Sequence, residues 1–391
     1  IVYSFKRMLD PKEQSYAGSS LASVDRSRIR KVDQYTVELG LKFPNAVLMD
    51  SLCEIRTVMV PQGFDPKHPI GSGPFKFKSF TAGERCELVA NREYWGEGPY
   101  VDSYITLDFP DDTARVNALL SDAVDAIVEV PQAQIPLVES TAGVKLLRQE
   151  SGRFDPFDMM VDHEPFSDVR VRQALRLVVD RAQMLQAAVS GYGRLGNDMY
   201  GPFDPGYPAD IPQREQDVEQ AKSLLKQAGY EDLDVELVFA PLTQGLTEAA
   251  TVFVEQASAA GVKVHAKKVD EALFWDRMYH QAPFILEYYS VTRNYLAQTL
   301  LTTGPDAPWN VTNWDDPEWN KLVSEAFKTI DEDKRNSLVS EAAKIEHERG
   351  GIILWGFKDN FDAYNERVQG FTSYKGGLPL SSLGMNRVWL A

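Results

Sequence analysis

Three consecutive segments decide the fold: "DVELVFA" (234–240), "LTEAATVFVEQASAAG" (246–261) and "VKVHAKKV" (262–269). The first reads as a strand, the second as a helix ending at Gly261, and the third as another strand. A strand, a helix and a strand in succession form a β-α-β unit. That unit joins parallel strands, so at least part of the chain is an α/β structure with a parallel sheet.

The pattern extends outward from this unit. Upstream, "SDVRVRQALRLVVDRAQMLQAAVS" (167–190) is the clearest helical region, with an apolar stripe of Leu175, Val178, Val179, Leu185 and Val189. Ser167 or Asp168 is suited to cap it. Asp217 and Gln220 are spaced as a capping-box variant, Ala221, Leu224, Leu225 and Ala228 make a buried face, and Gly229 supplies a left-handed stop. Downstream, helices are expected over 317–328 and 334–349, followed by a strand over 351–357. Toward the N-terminus, "DQYTVELGLKF" (33–43) alternates at period two, and further strands are expected at 73–80, 85–90 and 105–109. Asp111 or Asp112 caps a helix carrying Ala114, Val116, Leu119 and Leu120, and a strand follows over 126–130. Val2, Phe5 and Leu9 share one face of an opening helix that Asp10-Pro11 ends. The Pro-rich stretch 201–212 is too long for a turn and reads as a functional loop or a covering flap.

Composition narrows the function. The chain has 391 residues, 43% apolar and 25% charged, with a formal net charge of −16. This acidity argues against nucleic acid, because neutralising phosphates requires clustered Lys and Arg. No apolar run approaches the ~20 residues needed to cross a bilayer. Cys53 and Cys86, in unrelated contexts with no C-x-x-C, read as two buried free thiols, with a disulfide as the alternative.

The motifs that suggest chemistry dissolve in their contexts. "SGYGRLGND" (190–198) contains G-x-G-x-x-G, but a dinucleotide cradle needs a strand before it and a helix N-terminus after it. Here a helix precedes it and a Pro-rich loop follows. Gly191 reads as a helix cap, and Gly193 and Gly196 as turn residues. Ser223-Leu224-Leu225-Lys226 matches S-x-x-K only through core leucines, and the five histidines show no metal-ligand spacing. No catalytic set, metal site or cofactor is expected. What stands out instead is "ILEYYSVTRNYL" (285–296), where Tyr288, Tyr289, Arg293, Asn294 and Tyr295 place a guanidinium and an amide among aromatic rings. Such a set suits a small polar ligand.

Several segments together resemble one family, the bacterial extracellular solute-binding proteins of family 5, which serve ABC importers. "HPIGSGPFKFKSF" (68–80) resembles its signature segment. "NREYWGEGPYVDSYITLDFPDDTARVNALLSDAVDA" (91–126) is similar to its asparagine–tyrosine–tryptophan turn and the helix beyond. "PFSDVRVRQALRLVVDRAQMLQAAVSGYG" (165–193), "AKSLLKQAGY" (221–230), "APWNVTNWDDPEWNKLVSEA" (307–326) and "IEHERGGIILWGFKDNFDAYNERVQGF" (345–371) follow in the family's order. The resemblance implies a two-lobed periplasmic-binding-protein fold of the large type II variety, hinge-connected and bearing an extra subdomain. It places residues 1–66 in the small subdomain, 67–155 with 366–391 in the first lobe, and 156–365 in the second. It also leads to the expectation that an N-terminal portion precedes "VYSFKRMLDP".

For function, the resemblance implies a monomeric receptor, periplasmic or anchored outside the membrane, that delivers a small molecule to an ABC permease without covalent chemistry. In the peptide binders of the family, a Trp followed three residues later by Asp holds the ligand's α-ammonium. The comparable stretch here is Ser290-Val291-Thr292-Arg293. The charge is reversed, which implies a peptide-like, opine-like or other carboxylate-bearing ligand near Arg293, unless another carboxylate compensates. Ser290 would leave extra room. The candidate contacts are Tyr288, Tyr289, Ser290, Arg293, Asn294 and Tyr295, then Phe154, Asp155 and Phe157 near the inferred hinge. Asn197, Asp198, Tyr200 and Trp309 complete the set. Two other readings are a ligand-sensing module for a signalling receptor and a hydrolase. The hydrolase would need two carboxyl groups roughly 5–10 Å apart on facing lobes.

Overall fold

The computed structural model describes every residue except Gln14 and Thr292. Helix Val2–Met8 opens the chain and packs on the hairpin of β1 (Val24–Lys31) and β2 (Val37–Leu41). Phe5, Met8, Ala17, Leu21, Val24 and Ile29 form a small core there. Next come β3 (Phe75–Thr81), β4 (Arg85–Ala90) and β5 (Ser103–Leu107), an antiparallel three-stranded sheet. Helix Asp112–Leu120 and the short β6 (Ala126–Ile127) lead into the long β7 (Val144–Phe154), which continues after two residues as β8 (Phe157–Met159).

The β-α-β unit forms as expected. The strands β10 (Asp234–Phe239) and β11 (Lys263–Lys268), which follow the short β9 (Gly193–Leu195), run parallel on either side of helix Leu246–Ala259 in sequence. The next strand, β12 (Phe284–Leu286), pairs parallel with β10, while β8 and then β13 (Ile352–Ile353) add antiparallel. The sheet order is β11-β10-β12-β8-β13. Its core gathers Phe157, Phe253, Phe284 and Trp355 with the apolar faces of the helices over 169–189, 218–228 and 246–259. Phe157 stacks on Phe253 at 4.5 Å between ring centroids, an arrangement worth about 0.5–1.5 kcal/mol beyond the area buried.

A second sheet holds β6, β14 (Gly356–Asn365), β7 and, along the start of β14, β9. Two connections therefore run between the sheets: β7 passes into β8 through Asp155-Pro156, and β13 passes into β14 through Leu354-Trp355. β7 and β14 are antiparallel neighbours over most of their length. A short pairing of β15 (Val368–Gln369) with β16 (Trp389–Leu390) closes the chain.

Local physics corrects several expectations. The helical region 167–190 is two helices, Val169–Leu177 and Arg181–Val189, each with its own cap. Asp168 accepts from Arg170 N, while Asp180 accepts from Gln183 N and donates its own N–H to Gln256 Oε1 at 3.1 Å. The strand expected over 351–357 is split, because the chain leaves one sheet for the other at Leu354-Trp355. The strand at 126–130 stops at Ile127, since Glu129 adopts a positive φ of 51° and its N–H goes to Asp362. Ser190, not Gly191, is the left-handed cap, and Gly191 follows with φ of 78°. Gly193 lies in a strand rather than a turn. A Cβ there would meet Phe357 O at 2.2 Å, and one on Gly196 would meet Leu354 O at 2.4 Å. The glycines of G-x-G-x-x-G thus allow β9 and the residues after it to lie against the second connection.

Three further points complete the comparison. β1 has no clean alternation because Arg26, Arg28 and Arg30 crowd it, so period-two reading passes over it. The cysteines are unpaired, but Cys53 is exposed and Cys86 half-buried, which corrects their expected burial. The Pro-rich stretch 201–212 is a covering segment. Tyr207 and Ile211 pack on the core around Trp319, and Asp204 accepts from Tyr295 N at 2.8 Å.

Candidate functional site

The residues after β12 leave the sheet at the carboxyl ends of its parallel strands, where open α/β sheets form ligand crevices. Tyr289 exchanges both backbone hydrogen bonds with Phe154, at 2.8 and 3.1 Å, so it adds one ladder rung to the first connection. Successive side chains in extended backbone point oppositely. Tyr288 and Ser290 accordingly face a cavity of about 310 Å³, whereas Tyr289 turns inward. Its ring stacks on Phe154 at 4.9 Å, and its hydroxyl donates to Glu287 Oε1 at 2.8 Å.

The cavity lies where the two connections meet. Arg153 comes from β7, Lys358, Asp359 and Asn360 from β14, Thr243 and Gln244 from the loop after β10, and Glu129 and Gln132 from the segment after β6. Its charges are matched one to one. Lys358 Nζ donates to Asp155 Oδ2 at 2.6 Å, to Thr243 Oγ1 at 3.0 Å and to Gln244 O at 3.4 Å. Burial pushes the Lys358 ammonium down and the Asp155 carboxyl up, and their mutual attraction opposes both shifts. Arg153 Nη1 reaches Asn360 Oδ1 at 2.9 Å and Glu129 Oε1 at 3.0 Å. Arg148 holds Asp359 Oδ2 through Nε at 2.8 Å and Nη2 at 2.7 Å. Two cations, Arg153 and Lys358, and two anions, Glu129 and Asp359, thus line a polar space, while the partners Asp155 and Arg148 stand outside the lining. Such a space suits a solute that is neutral overall or zwitterionic, because excess charge would enter a low-dielectric site unpaired.

A second cavity of about 260 Å³ is lined by Asp50, Cys53, Glu54, Arg293, Asn294 and Leu378, among others. Arg293 Nε donates to Glu54 Oε2 at 2.9 Å, and both side chains are under a tenth exposed, at 8% and 9%. Glu54 is therefore the compensating carboxylate that the sequence left open, and it comes from the N-terminal segment, 239 positions away. Thr292 lies outside the described residues. Asn294 is spent as a helix cap, its Oδ1 accepting from Ala297 N at 2.7 Å. Trp309 is half-buried, with its ring 6.2 Å from that of Tyr16 and Arg56 stacked over both. A double-mutant cycle of Arg293→Ala and Glu54→Ala is expected to give a coupling of about 1–3 kcal/mol in urea unfolding. Additivity within about 0.5 kcal/mol would show that Arg293 is not committed to Glu54.

The remaining candidates lie away from both cavities. Tyr200 and Tyr295 stack at 4.8 Å in the core, and burial lifts both phenols well above their ordinary range. Tyr200 accepts from Thr303 Oγ1 at 2.9 Å. Tyr295 donates to Glu346 Oε2 at 2.9 Å and accepts from Trp319 Nε1 at 2.8 Å. Phe157 is wholly inside the sheet's core. Asn197 donates to Pro212 O and accepts from Arg214 N, and Asp198 is surrounded by arginines. Sequence reasoning missed Arg153, Glu129, Gln244, Lys358, Asp359 and Asn360. The one available signal was Lys358-Asp359-Asn360, three polar residues in a row inside a strand that is otherwise buried.

Comparison with known proteins agrees with this architecture. The profile of the bacterial extracellular solute-binding proteins, family 5 (middle region), matches residues 1–305. The dipeptide-binding protein of Escherichia coli (strain K12) is 24% identical over 368 residues, covering 88% of this chain and 69% of that protein. The periplasmic binding protein DppA from Helicobacter pylori, solved with the peptide STSA, superposes with a TM-score of 0.86 at 18% identity over all of this chain and 80% of its own. AgaA from A. tumefaciens R10, solved with agropinic acid, superposes with a TM-score of 0.86 at 25% identity, over 100% and 82% of the two chains. The fold is that of the two-lobed periplasmic binding proteins.

Proposed function

We propose, for a chain that belongs to the bacterial extracellular solute-binding proteins of family 5, that it is the monomeric receptor of an ABC importer and captures one small polar solute between its lobes. The observation that carries this reading is the charge-balanced cavity at the meeting of the two connections and the loops after β10 and β12. In this reading residues 1–66 are a subdomain, 67–155 with 366–391 one lobe and 156–365 the other, with the hinge near Asp155-Pro156 and Leu354-Trp355. The work is binding and closure, with no covalent step. A solute touching residues from both sides binds the closed arrangement more tightly than the open one, and that differential affinity shifts the equilibrium a membrane permease reads. The ligand class is a carboxylate-bearing solute, peptide-like or opine-like, with no net charge. Because Glu54 already neutralises Arg293, the ligand's carboxylate is assigned to the larger cavity rather than to Arg293.

The test begins with protein stripped of ligand by unfolding and refolding. It is mixed with a small-molecule extract of bacterial cells, desalted and examined by native mass spectrometry and small-angle scattering. The expected result is one solute retained per chain, with a smaller radius of gyration and a raised unfolding temperature. No retained solute, together with unchanged scattering, would overturn the receptor reading.

A further inference from the structure

The two connections tie the sheets together covalently, and a further tie is made by side chains alone. Residues 372–378, between β15 and Pro379, lie along β7: Ser373 Oγ donates to Arg148 O at 3.0 Å and Tyr374 N to Gln149 Oε1 at 3.3 Å. The ends of this segment are fixed, because Thr372 N donates to Ser381 Oγ at 2.7 Å and Leu380 N to the buried Asp362 Oδ2 at 2.6 Å. Between them, Lys375 Nζ stands 4.5 Å from the ring centre of Phe203, and the guanidinium carbon of Arg194 stands 4.2 Å from the same ring centre. Arg194 belongs with the second sheet, since it lies in β9 and donates to Ser151 O of β7 at 2.8 Å. Phe203 belongs to the other side. It sits in the covering stretch 201–212, which packs on the core around Trp319 and holds Tyr295 N through Asp204. One ring from the side of the β-α-β sheet is thus held by two cations from the side of the second sheet.

We propose that residues 372–378 are a strap that fastens the two sides in the arrangement seen here, with Lys375 and Arg194 on Phe203 as its catch. Gly376 and Leu378 of the strap line the second cavity beside Arg293 and Asn294, so lifting the strap opens that cavity on one side. The connections cannot select an arrangement in this way. Hinge backbone accommodates many relative orientations, whereas a ring and two cations borne by different bodies meet in one. Cation–π attraction is weak where water reaches it, and two such contacts together bias an equilibrium about five- to thirtyfold. A bias of that size keeps the catch shut in most molecules. It also yields to a solute or a partner that favours the other arrangement by a larger factor. The strap's part in solute capture rests on the receptor reading; the fastening itself does not.

The test uses ligand-stripped protein and trypsin, whose cut after Lys375 requires the strap to lift into the protease and so follows the population of the open form. Cleavage after Lys358, buried in β14, reports global unfolding in the same digest. In Phe203→Leu the rate after Lys375, divided by the rate after Lys358, is expected to rise about five- to thirtyfold. Because it is a ratio within one digest, a general loss of stability does not mimic it. Lys375→Arg keeps both the cation and the cutting site and is expected to match the wild type. Small-angle scattering is expected to give a larger radius of gyration for Phe203→Leu and Lys375→Gln than for the wild type and Lys375→Arg. An unchanged cleavage ratio in Phe203→Leu overturns the strap, as does an unchanged radius in both variants. If the ratio rises but the wild type retains no solute from the cell extract, the receptor reading falls and the strap stands. A retained solute with an unchanged ratio removes the strap alone.

Discussion

Replacing Asp198 by Asn lowers the unfolding free energy by about 3–5 kcal/mol, the usual loss when one partner of a buried ion pair is removed. The Asp198 carboxylate is fully buried and accepts from Arg181 Nη2 at 2.8 and 2.7 Å and from Arg214 Nε at 2.8 Å. Burial works to raise its pKa, yet Arg181, Arg176 and Arg214 prevail and hold it below the ordinary value. The side chain of Arg181 is only 2% exposed, so without the carboxylate its charge is stranded. Asn isolates this effect. It tolerates the left-handed φ of 58° at this position as readily as Asp does, and it still offers an oxygen to Leu354 N, now 3.0 Å away. Because Asp198 N also donates to Leu354 O at 3.2 Å, the same residue anchors the second connection between the sheets. Urea unfolding should show a lower midpoint at unchanged slope, while Asp168→Asn, at a partly exposed cap where Asn caps as well as Asp, should lose at most about 1 kcal/mol, the worth of its pairing with Arg170. A loss below about 1 kcal/mol for Asp198→Asn would remove the arginine cluster as a source of stability.

Glu287→Gln stabilises the protein at neutral pH and leaves it nearly unchanged in acid. Glu287 and Asp158 are both buried, Asp158 in β8 and Glu287 one residue beyond β12, the strand paired with β8. Burial pushes Glu287 up to about 7 from 4.5, against the hydroxyl of Tyr289 and the neighbouring Asp158 and Tyr279, which favour its ionised form. Asp158 is pushed up as well, by burial and then by the charge of Glu287. The folded state therefore holds a proton that the unfolded chain releases. The stability this confers is complete below about pH 4.5 and falls as the pH rises to about 7. Beyond that it is flat. The fall is on the order of 3 kcal/mol, from ~1.4 kcal/mol per pH unit. Gln mimics the protonated acid: it accepts from Tyr289 and can donate to Asp158. The readout is the difference between variant and wild type across pH 4 to 8, which cancels the surface carboxylates common to both. A difference that does not grow with pH would show that Glu287 is ionised in the folded protein.

Local signals in the sequence carried most of the architecture. The β-α-β unit at 234–269, the caps Asp168, Asp217 and Asp316, and the left-handed stop at Gly229 all depend on residues within a few positions of each other. The family was legible from ordered motifs along the chain. Three of the errors share one cause. The break at Asp180, the transfer from β13 to β14 and the strand at Gly193 are decided by partners far away in sequence: Gln256, β8 with β7, and Phe357.

The site divides in the same way. Sequence alone placed aromatic and polar groups together at 288–295, and period-two geometry then sorted Tyr288 outward and Tyr289 inward. It could not supply Glu54 to Arg293 across 239 positions, or bring Arg153 of β7 beside Asp359 of β14. Charge pairing in a cavity depends on distances of a few ångströms, and those are set only when strands far apart in the chain become neighbours. Sequence determined what kinds of element form and the family to which they belong. Tertiary structure alone decided which charges are spent on each other: Arg293 on Glu54, Lys358 on Asp155, Arg153 on Glu129 and Arg148 on Asp359.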